Sequence, residues 1–382
     1  MNQIGRGVLS GTLLFYSFIA FSQNSPSIQS ISNVWRVVRE NAPKTFPKTV
    51  PPGNYSGITH LHDDVYAVVS DKSDSALFFN FRIQVNPKTG DLEHVENLGF
   101  TERVDAGLRG FDHEAIAKVT DSTVVVASEG YCSLKEYPIR SMAAPMNGRQ
   151  LWNMRFPAKI FYPNYNFESL AFDSVRKILW TIPESTLRPD GIPSSPEKQQ
   201  ANKLRLMAFD WRGLGQSSHL SLTLYAYQMD KPTTNRKAAT YVMGVSELCV
   251  LPDGQLLVLE REAFVPKIKL GAFCKCKLYV INPLEGDSIA QYDASESISQ
   301  LDEFAEHTPI LKKRLLTEWK TGLSLFDRSF ANFEGMCLGP KLEDGSQVLI
   351  LLSDSQDQYA GVLKDWFKTI IIKDLPGIPG NS

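Results

Sequence analysis

Asp112-His-Glu-Ala-Ile-Ala-Lys-Val-Thr-Asp-Ser-Thr-Val-Val-Val-Ala-Ser-Glu129 holds two short apolar runs joined by a turn, with acids at its outer ends. Ala115–Val119 and Thr123–Ala127 flank the turn at Asp121-Ser122, and their β-branched content argues for strands rather than helix. The pattern returns four more times. It opens as Tyr55-Ser-Gly-Ile-Thr59, Asn166-Phe-Glu-Ser-Leu170, Gly244-Val-Ser-Glu-Leu248 and Asn332-Phe-Glu-Gly-Met336. It closes as Val-Val-Ser-Asp71, Thr-Ile-Pro-Glu184, Val-Leu-Glu260-Arg261 and Leu-Leu-Ser-Asp354. Recurrence at intervals of tens of residues marks an array of like units.

Two antiparallel strands joined by a tight turn bring the start of the first beside the end of the second. Pro252-Asp-Gly254, between Leu248–Leu251 and Gln255–Leu259, is such a turn, because glycine accepts the positive φ it requires. The glutamate before one strand and the acid after the next therefore share one end of each hairpin. Two further strand-like runs follow most hairpins, for example Ala76–Ile83 with Leu92–Leu98, and Leu204–Phe209 with Leu220–Tyr227. Four strands per unit, repeated radially, predict an all-β fold, a β-propeller of five four-stranded repeats with room for a degenerate sixth. A stacked solenoid fits less well, since its repeats are shorter and more uniform. Asn33–Val38 and Phe367–Ile372 are both strand-like, and their pairing would lock the ring.

In a propeller the five repeated ends surround one mouth. Glu114, Glu168, Glu247 and Glu334 would form a ring there, with Glu129, Glu184, Glu260, Asp71 and Asp354 completing it. Any one such acid is an ordinary solvated loop residue; their convergence is what carries meaning. Like charges that close raise one another's pKa unless a cation sits among them. Oxygen donors suit a divalent cation such as Ca²⁺, which takes about six to eight of them. Zinc would prefer His and Cys, and His113 alone lies within a motif, as a hydrogen-bonding neighbour rather than a ligand.

The chain has 382 residues, 43% of them hydrophobic, enough for a large core and unlike a disordered composition. No Gly/Ser linker or long charge run divides it, so residues 23–382 are expected to form one domain. Met1–Ser22 reads as a secretory signal: Arg6 supplies the positive end, Val8–Phe21 the apolar stretch, and Ala20-Phe21-Ser22 a cleavage site before Gln23. The mature chain is expected to be secreted or periplasmic, with no segment spanning a membrane. Removing the leader takes away one arginine and no acid, which makes the formal charge of −2 slightly more negative. That balance, without a basic stripe, does not suggest a nucleic-acid partner. The five cysteines, Cys132, Cys249, Cys274, Cys276 and Cys337, leave at least one unpaired. Cys274-Lys-Cys276 points two thiols to one face, yet no histidine or second pair accompanies it.

Three segments break the rhythm. Thr186–Ala201, rich in Pro, Ser and Gly, follows Glu184 and should lie at the mouth, where selectivity loops belong. Glu262–Gly271 leaves the fourth repeat in the same way. Asn282–Leu311 carries Ile298, Leu301 and Phe304 at helical spacing, with Ser297 and Gln300 as a capping box. A short helix near 295–307, packed outside the fourth unit, is the expectation.

From about Gly53 to Asp374 the chain resembles the secreted "esterase-like activity of phytase" (phytase-like) family. Tyr55-Ser-Gly-Ile with Tyr66–Asp71, Asp112-His-Glu-Ala-Ile-Ala with Ala127-Ser-Glu129, Gly244–Leu248 with Leu257–Arg261, and Asn332–Met336 with Leu352-Ser-Asp354 follow that family's order and spacing. The resemblance implies a propeller and hydrolysis of phosphate or other esters. Glycine follows the motif glutamate only at Glu334-Gly335, while Ala115, Ser169 and Leu248 stand there elsewhere, which departs from a glycine-dependent approach to a ligand.

A metal-assisted mechanism fits these residues. The cation would polarise an ester oxygen and activate a water, Glu114 or Glu334 would serve as base, and Arg261 and Arg109 would stabilise negative charge on a small-molecule ester or phosphoester. No Gly-x-Ser-x-Gly elbow and no Gly-rich phosphate loop occurs. Two other readings remain: a non-catalytic propeller that binds a ligand or protein around structural calcium, and a lactonase. Phytate wants a basic mouth, and the motif ends here offer mostly acids, with Lys72, Arg109, Arg188 and Arg261 near them. A less charged ester is therefore favoured.

Overall fold

In a computed structural model that describes residues 34–73, 76–100, 102–103, 112–139, 152–211, 221–293, 304–358 and 362–375, the repeated runs are strands paired antiparallel. After β1 (Val34–Glu40), the first unit is β2 (Tyr55–His62), β3 (Val65–Ser70), β4 (Ala76–Val85) and β5 (Leu92–Asn97), with β6 (Glu102–Arg103) beside β4. The second is β7 (His113–Thr120), β8 (Thr123–Ser128), β9 (Ser133–Pro138) and β10 (Trp152–Arg155). The third is β11 (Ala171–Asp173), β12 (Ile178–Thr181), β13 (Lys203–Asp210) and β14 (Ser221–Gln228). The fourth begins with β15 (Thr240–Val250), β16 (Leu256–Val265) and β17 (Ala272–Ile281). The chain then returns to the third sheet as β18 (Ala290–Asp293), paired with β14, before β19 (Lys313–Leu323) completes the fourth. The last sheet is β20 (Asn332–Lys341), β21 (Gln347–Asp354) and β22 (Phe367–Leu375), with β1 antiparallel to β22 from Val34↔Leu375 to Glu40↔Ile370.

The fold is all-β: the described residues contain short 3₁₀ turns and no α-helix. The helix expected near 295–307 falls mainly outside the described residues, and Phe304–Leu311 is not helical. The segment before it supplies β18 to the third sheet rather than packing outside the fourth. Arg109 and the leader-like stretch Met1–Ser22 also lie outside the described residues.

Burial explains why the sheets adjoin. Most buried apolar side chains among the described residues fall into five clusters, each shared by two sheets. Val68 and Phe81 of the first sheet meet Val348 and Ile350 of the last, for instance, and Leu134 of the second meets Phe209 of the third. The first strands also touch one another: β2 lies against β7 and β20, β15 against β20 and β11, and β11 against β7. Trp35 on β1 enters the cluster between the fourth and last sheets, and its indole N–H donates to Asp253 Oδ2 at 2.8 Å.

Two glycines permit the close approach of first strands. A Cβ on Gly335 would sit 2.3 Å from the Ser56 carbonyl oxygen, and one on Gly57 would sit 2.7 Å from Ala115 Cα. Glycine in the motif therefore serves strand-on-strand packing, not the approach of a ligand. Gly335→Ala should lower the free energy of unfolding by about 1–3 kcal/mol, since backbone rather than a mobile side chain blocks the added methyl group. Urea denaturation of the variant beside the parent protein measures it.

Candidate functional site

A β-bulge builds the site. The pairing of β7 with β8 skips from His113 to Ala115, and that of β20 with β21 from Phe333 to Gly335. The extra residue in each is the motif glutamate, Glu114 or Glu334. A bulge bends its strand and re-aims the extra side chain, and both glutamates point into a cavity of about 420 Å³ at one end of the first strands. Glu168, just before β11, lines the same cavity. The β2–β3 pairing shifts between Tyr55 and Ile58, so Ser56 takes the corresponding place in the first repeat.

The fourth repeat is offset by one residue, which corrects two sequence expectations. Its skipped residue is Ser246, and Glu247 pairs with Leu259 in the place held elsewhere by Ala115 and Gly335. A slip of one residue sends a side chain to the opposite face. Glu247 does not line the cavity: its Oε1 accepts the N–H groups of Leu170 (3.1 Å) and Leu248 (3.0 Å), and its carboxyl also accepts from Met336 N–H. Likewise Gly244 pairs with Arg261 as Asn332 pairs with Asp354. Arg261 thus occupies the acid's place. Glu260 points away and accepts from Tyr227 Oη at 2.6 Å, Asp230 N–H at 3.1 Å and Lys313 Nζ at 2.6 Å. The signal was present: serine precedes the acid in Ser70-Asp71, Ser128-Glu129 and Ser353-Asp354, and Glu260 stands where that serine would.

Asp71, Asp112, Glu114, Glu129, Glu168, Glu184 and Glu334 line the cavity with Arg261. Carboxylate oxygens of Glu114, Glu168 and Glu334 lie within 4.8 Å of one another, as do those of Asp71, Asp112 and Glu114. Asp112 was absent from the sequence-derived set, although it holds the place of Asn54, Asn166 and Asn332 ahead of each motif. Asp354 is buried behind the rim, where Gln356 caps it with its backbone N–H (2.9 Å) and its side-chain amide. His113 is buried and does not line the cavity; burial, then Lys135, lowers its pKa to about 3, so it is neutral. The Thr186–Ala201 loop stays off the cavity too, held by Arg205 Nε and Nη2 on the Asp190 carboxylate at 2.7 and 2.6 Å.

Electrostatics set these acids apart from surface carboxylates. Burial, then repulsion by Glu334, Asp71 and Asp112, pushes Glu114 well above its usual range. Glu168 is raised by burial and then by Glu184, Glu114 and Glu334. Burial is also the leading cause for Asp71 and Glu184, both raised to about 7, and for Glu129, raised to about 6. The Arg261 guanidinium pairs with Glu184 on one side and Glu334 on the other, and donates to Asn332 Oδ1 at 2.9 Å. Its two terminal nitrogens are thus engaged by acids of the site, while its buried Nε has no hydrogen-bond partner. Glu168 Oε2 and Asp71 Oδ1 are buried without a hydrogen-bond partner. Orphaned oxygens among oxygen donors fit a hard cation.

The cavity has a second character on one side. Thr240 pairs with Val265 and Val242 with Ala263 across β15 and β16, and with Phe330 they form a largely apolar wall above Arg261. A larger hollow, about 640 Å³, opens at the other end of the first strands, lined by Leu61, Ile116, Leu170, Cys249 and Met336 among others. Asp121 is the one acid among the described residues that line it, so size there does not go with chemistry. All five cysteines are buried and free; Cys274 and Cys276 share a face, with sulfurs 3.9 Å apart.

A family profile described as "Phytase-like: Esterase-like activity of phytase" matches residues 50–356. The chain belongs to the phytase-like family. Among solved structures it is distantly similar to a streptogramin B lyase, at 11% identity and TM-score 0.32, covering 88% of this chain and 98% of that one. Virginiamycin B lyase from Staphylococcus aureus gives 7% identity and TM-score 0.32, over 89% and 99%. The beta-propeller domain of Cps50 (Swd1) from Myceliophteria thermophila gives 9% and 0.28, over 87% and 100%. A search of curated proteins returns no match.

Two predictions follow from the buried charge. The pKa values of Asp71, Glu129 and Glu184 are raised above their unfolded values, so their contribution favours folding below about pH 4 and is lost as pH rises through 6 to 7. In chelator the melting temperature should be lower at pH 8 than at pH 5, and added Ca²⁺ should restore more of it at pH 8. Arg261→Met should cost about 3–5 kcal/mol at pH 8 by leaving Glu184 and Glu334 unpaired, and less at pH 5, where the two can take up protons. Denaturant melts at both pH values read the difference.

Proposed function

We propose that this chain is an exported five-bladed propeller whose acidic mouth binds a divalent cation, Ca²⁺ first among candidates, and hydrolyses an ester or phosphoester. The meeting of Glu114, Glu168 and Glu334 carries the reading: three buried carboxylates with oxygens within 4.8 Å, in a cavity where Arg261 is the one positive lining residue among those described. The cyclic contacts of the first strands and the β1–β22 pairing support five blades locked at the termini. Family membership supports the reaction class, and the leader-like Met1–Ser22 supports export.

Glu114, Glu168 and Glu334 would hold the cation, with Asp71 and Asp112 beside them. Bound there, it would supply Lewis-acid polarisation of the scissile group. The rest falls to the chain. Arg261 and Asn332 fix the Glu334 carboxylate in one orientation, and Ser56 Oγ donates to Glu114 Oε2 at 2.8 Å. Asp71 Oδ1, free of protein partners on a group whose pKa is raised to about 7, is best poised to accept a proton near neutral pH. Val242, Ala263, Val265 and Phe330 favour a substrate with an apolar portion, while seven carboxyl groups disfavour a polyphosphate such as phytate. The depth of the acids, with Glu114 and Glu334 only 7% and 6% exposed, favours a second reading in which the cation is structural and the mouth only binds.

Calorimetric Ca²⁺ titration should show Glu114→Gln and Glu168→Gln each weakening affinity by about tenfold or more. Glu247→Gln should leave it unchanged, because that carboxyl lies outside the cavity. Turnover of carboxyl esters, lactones and phosphomonoesters should be lost with chelator and return with Ca²⁺. Cation binding without turnover of any class would leave the binding reading standing and end the hydrolase one.

A further inference from the structure

Four of the nine exposed large apolar side chains among the described residues sit on two neighbouring turns. Ile268 (77% exposed) and Leu270 (48%) lie between β16 and β17, and Leu325 (78%) and Phe326 (98%) lie between β19 and β20. The turns are tied together, with Gly271 N–H donating to the Leu323 carbonyl at 2.8 Å. Each adjoins the acidic mouth: Val265, just before the first turn, and Phe330, soon after the second, both line the cavity.

The charge around these tips is opposite to that of the mouth. Lys267 and Lys269 alternate with Ile268 and Leu270, and Lys320 and Arg328 flank Leu325-Phe326; all four are exposed. The one acid within the second turn, Asp327, accepts the Ser329 N–H at 2.9 Å. A basic rim on a chain of net charge −2 is a local feature rather than a consequence of composition. Solvated loops rarely hold a phenylalanine almost wholly in water, and clustered exposed apolar groups mark an interaction surface. Apolar tips interleaved with lysine suit an interface that is greasy within and negative at its surface.

We infer that these two turns are a peripheral anchor for anionic lipid surfaces, setting the mouth beside the headgroup layer. Ile268, Leu270, Leu325 and Phe326 enter the acyl boundary, and Lys267, Lys269, Lys320 and Arg328 meet the phosphates. The anchor is independent of whether the mouth catalyses or only binds.

Co-sedimentation of the mature protein tests it, using vesicles of phosphatidylglycerol and phosphatidylcholine against vesicles of phosphatidylcholine alone. Binding to the anionic vesicles should weaken as salt is raised, and Lys267→Glu with Lys269→Glu should weaken it about fivefold for each basic side chain lost. Leu325→Ser with Phe326→Ser should weaken it about tenfold or more with the melting temperature unchanged, since neither side chain packs against the fold. Failure of the parent protein to pellet with anionic vesicles overturns the inference. So does full binding by the Leu325/Phe326 variant. A dimer that this variant dissolves, with no vesicle binding by the parent, assigns the tips to a second copy of the chain instead.

Discussion

Desolvation of like charges is the constraint on which the rest of the structure turns. Seven acids line one cavity, and among the described lining residues a single guanidinium, Arg261, stands against them. Arg261 is itself buried and pairs with Glu184, just past β12 of the third sheet, and with Glu334 of the last sheet, so it ties three repeats together at the mouth. A carboxylate stripped of water rises in pKa or finds a cation. Glu184 and Glu334 have found one in Arg261, and Asp71 has Lys72 Nζ at 3.8 Å; Glu114 and Glu168 have no ion pair among the described residues.

The same first strands are held by a different device deeper in. Glu247, displaced by one residue from the cavity, accepts backbone N–H groups from the segment entering β11, from its own strand and from β20. Those groups face the axis, where no neighbouring strand pairs with them, and an unmet buried N–H is costly. Elsewhere around the same first strands, Gly57 and Gly335 let β2 approach β7 and β20. Whether a motif glutamate faces the cavity or accepts backbone N–H groups is set by a slip of register alone.

Much of this was legible in the residues. Alternating apolar runs and turn chemistry mark the hairpins, and hairpin geometry places Glu114 with Glu129 and Glu168 with Glu184. The pairing of the two chain ends was readable from Asn33–Val38 and Phe367–Ile372, both strand-like and at opposite ends of the chain. The bulge was not legible, because it inserts a residue without changing composition, and aligning repeats on their glutamates hid the offset at Ser246. Asp112 was missed because asparagine stands in its place in three repeats, which makes it look like turn chemistry. Loop placement also escaped the sequence: the Thr186–Ala201 segment is held off the mouth by the Arg205–Asp190 pair, fifteen residues apart, and by hydrogen bonds such as Tyr162 Oη to the Gly191 carbonyl.

The fourth repeat's arginine has one more consequence. Acid in all five places would surround the axis evenly, and a guest would lie there in any of several equivalent turns. With Arg261 on one side and Asp71, Asp112 and Glu114 gathered on another, the mouth has a direction. The cavity presents negative oxygens on one flank and the methyl groups of Val242, Ala263 and Val265 on the flank of the guanidinium. The departure in one repeat gives the cavity a polarity that five like repeats would lack.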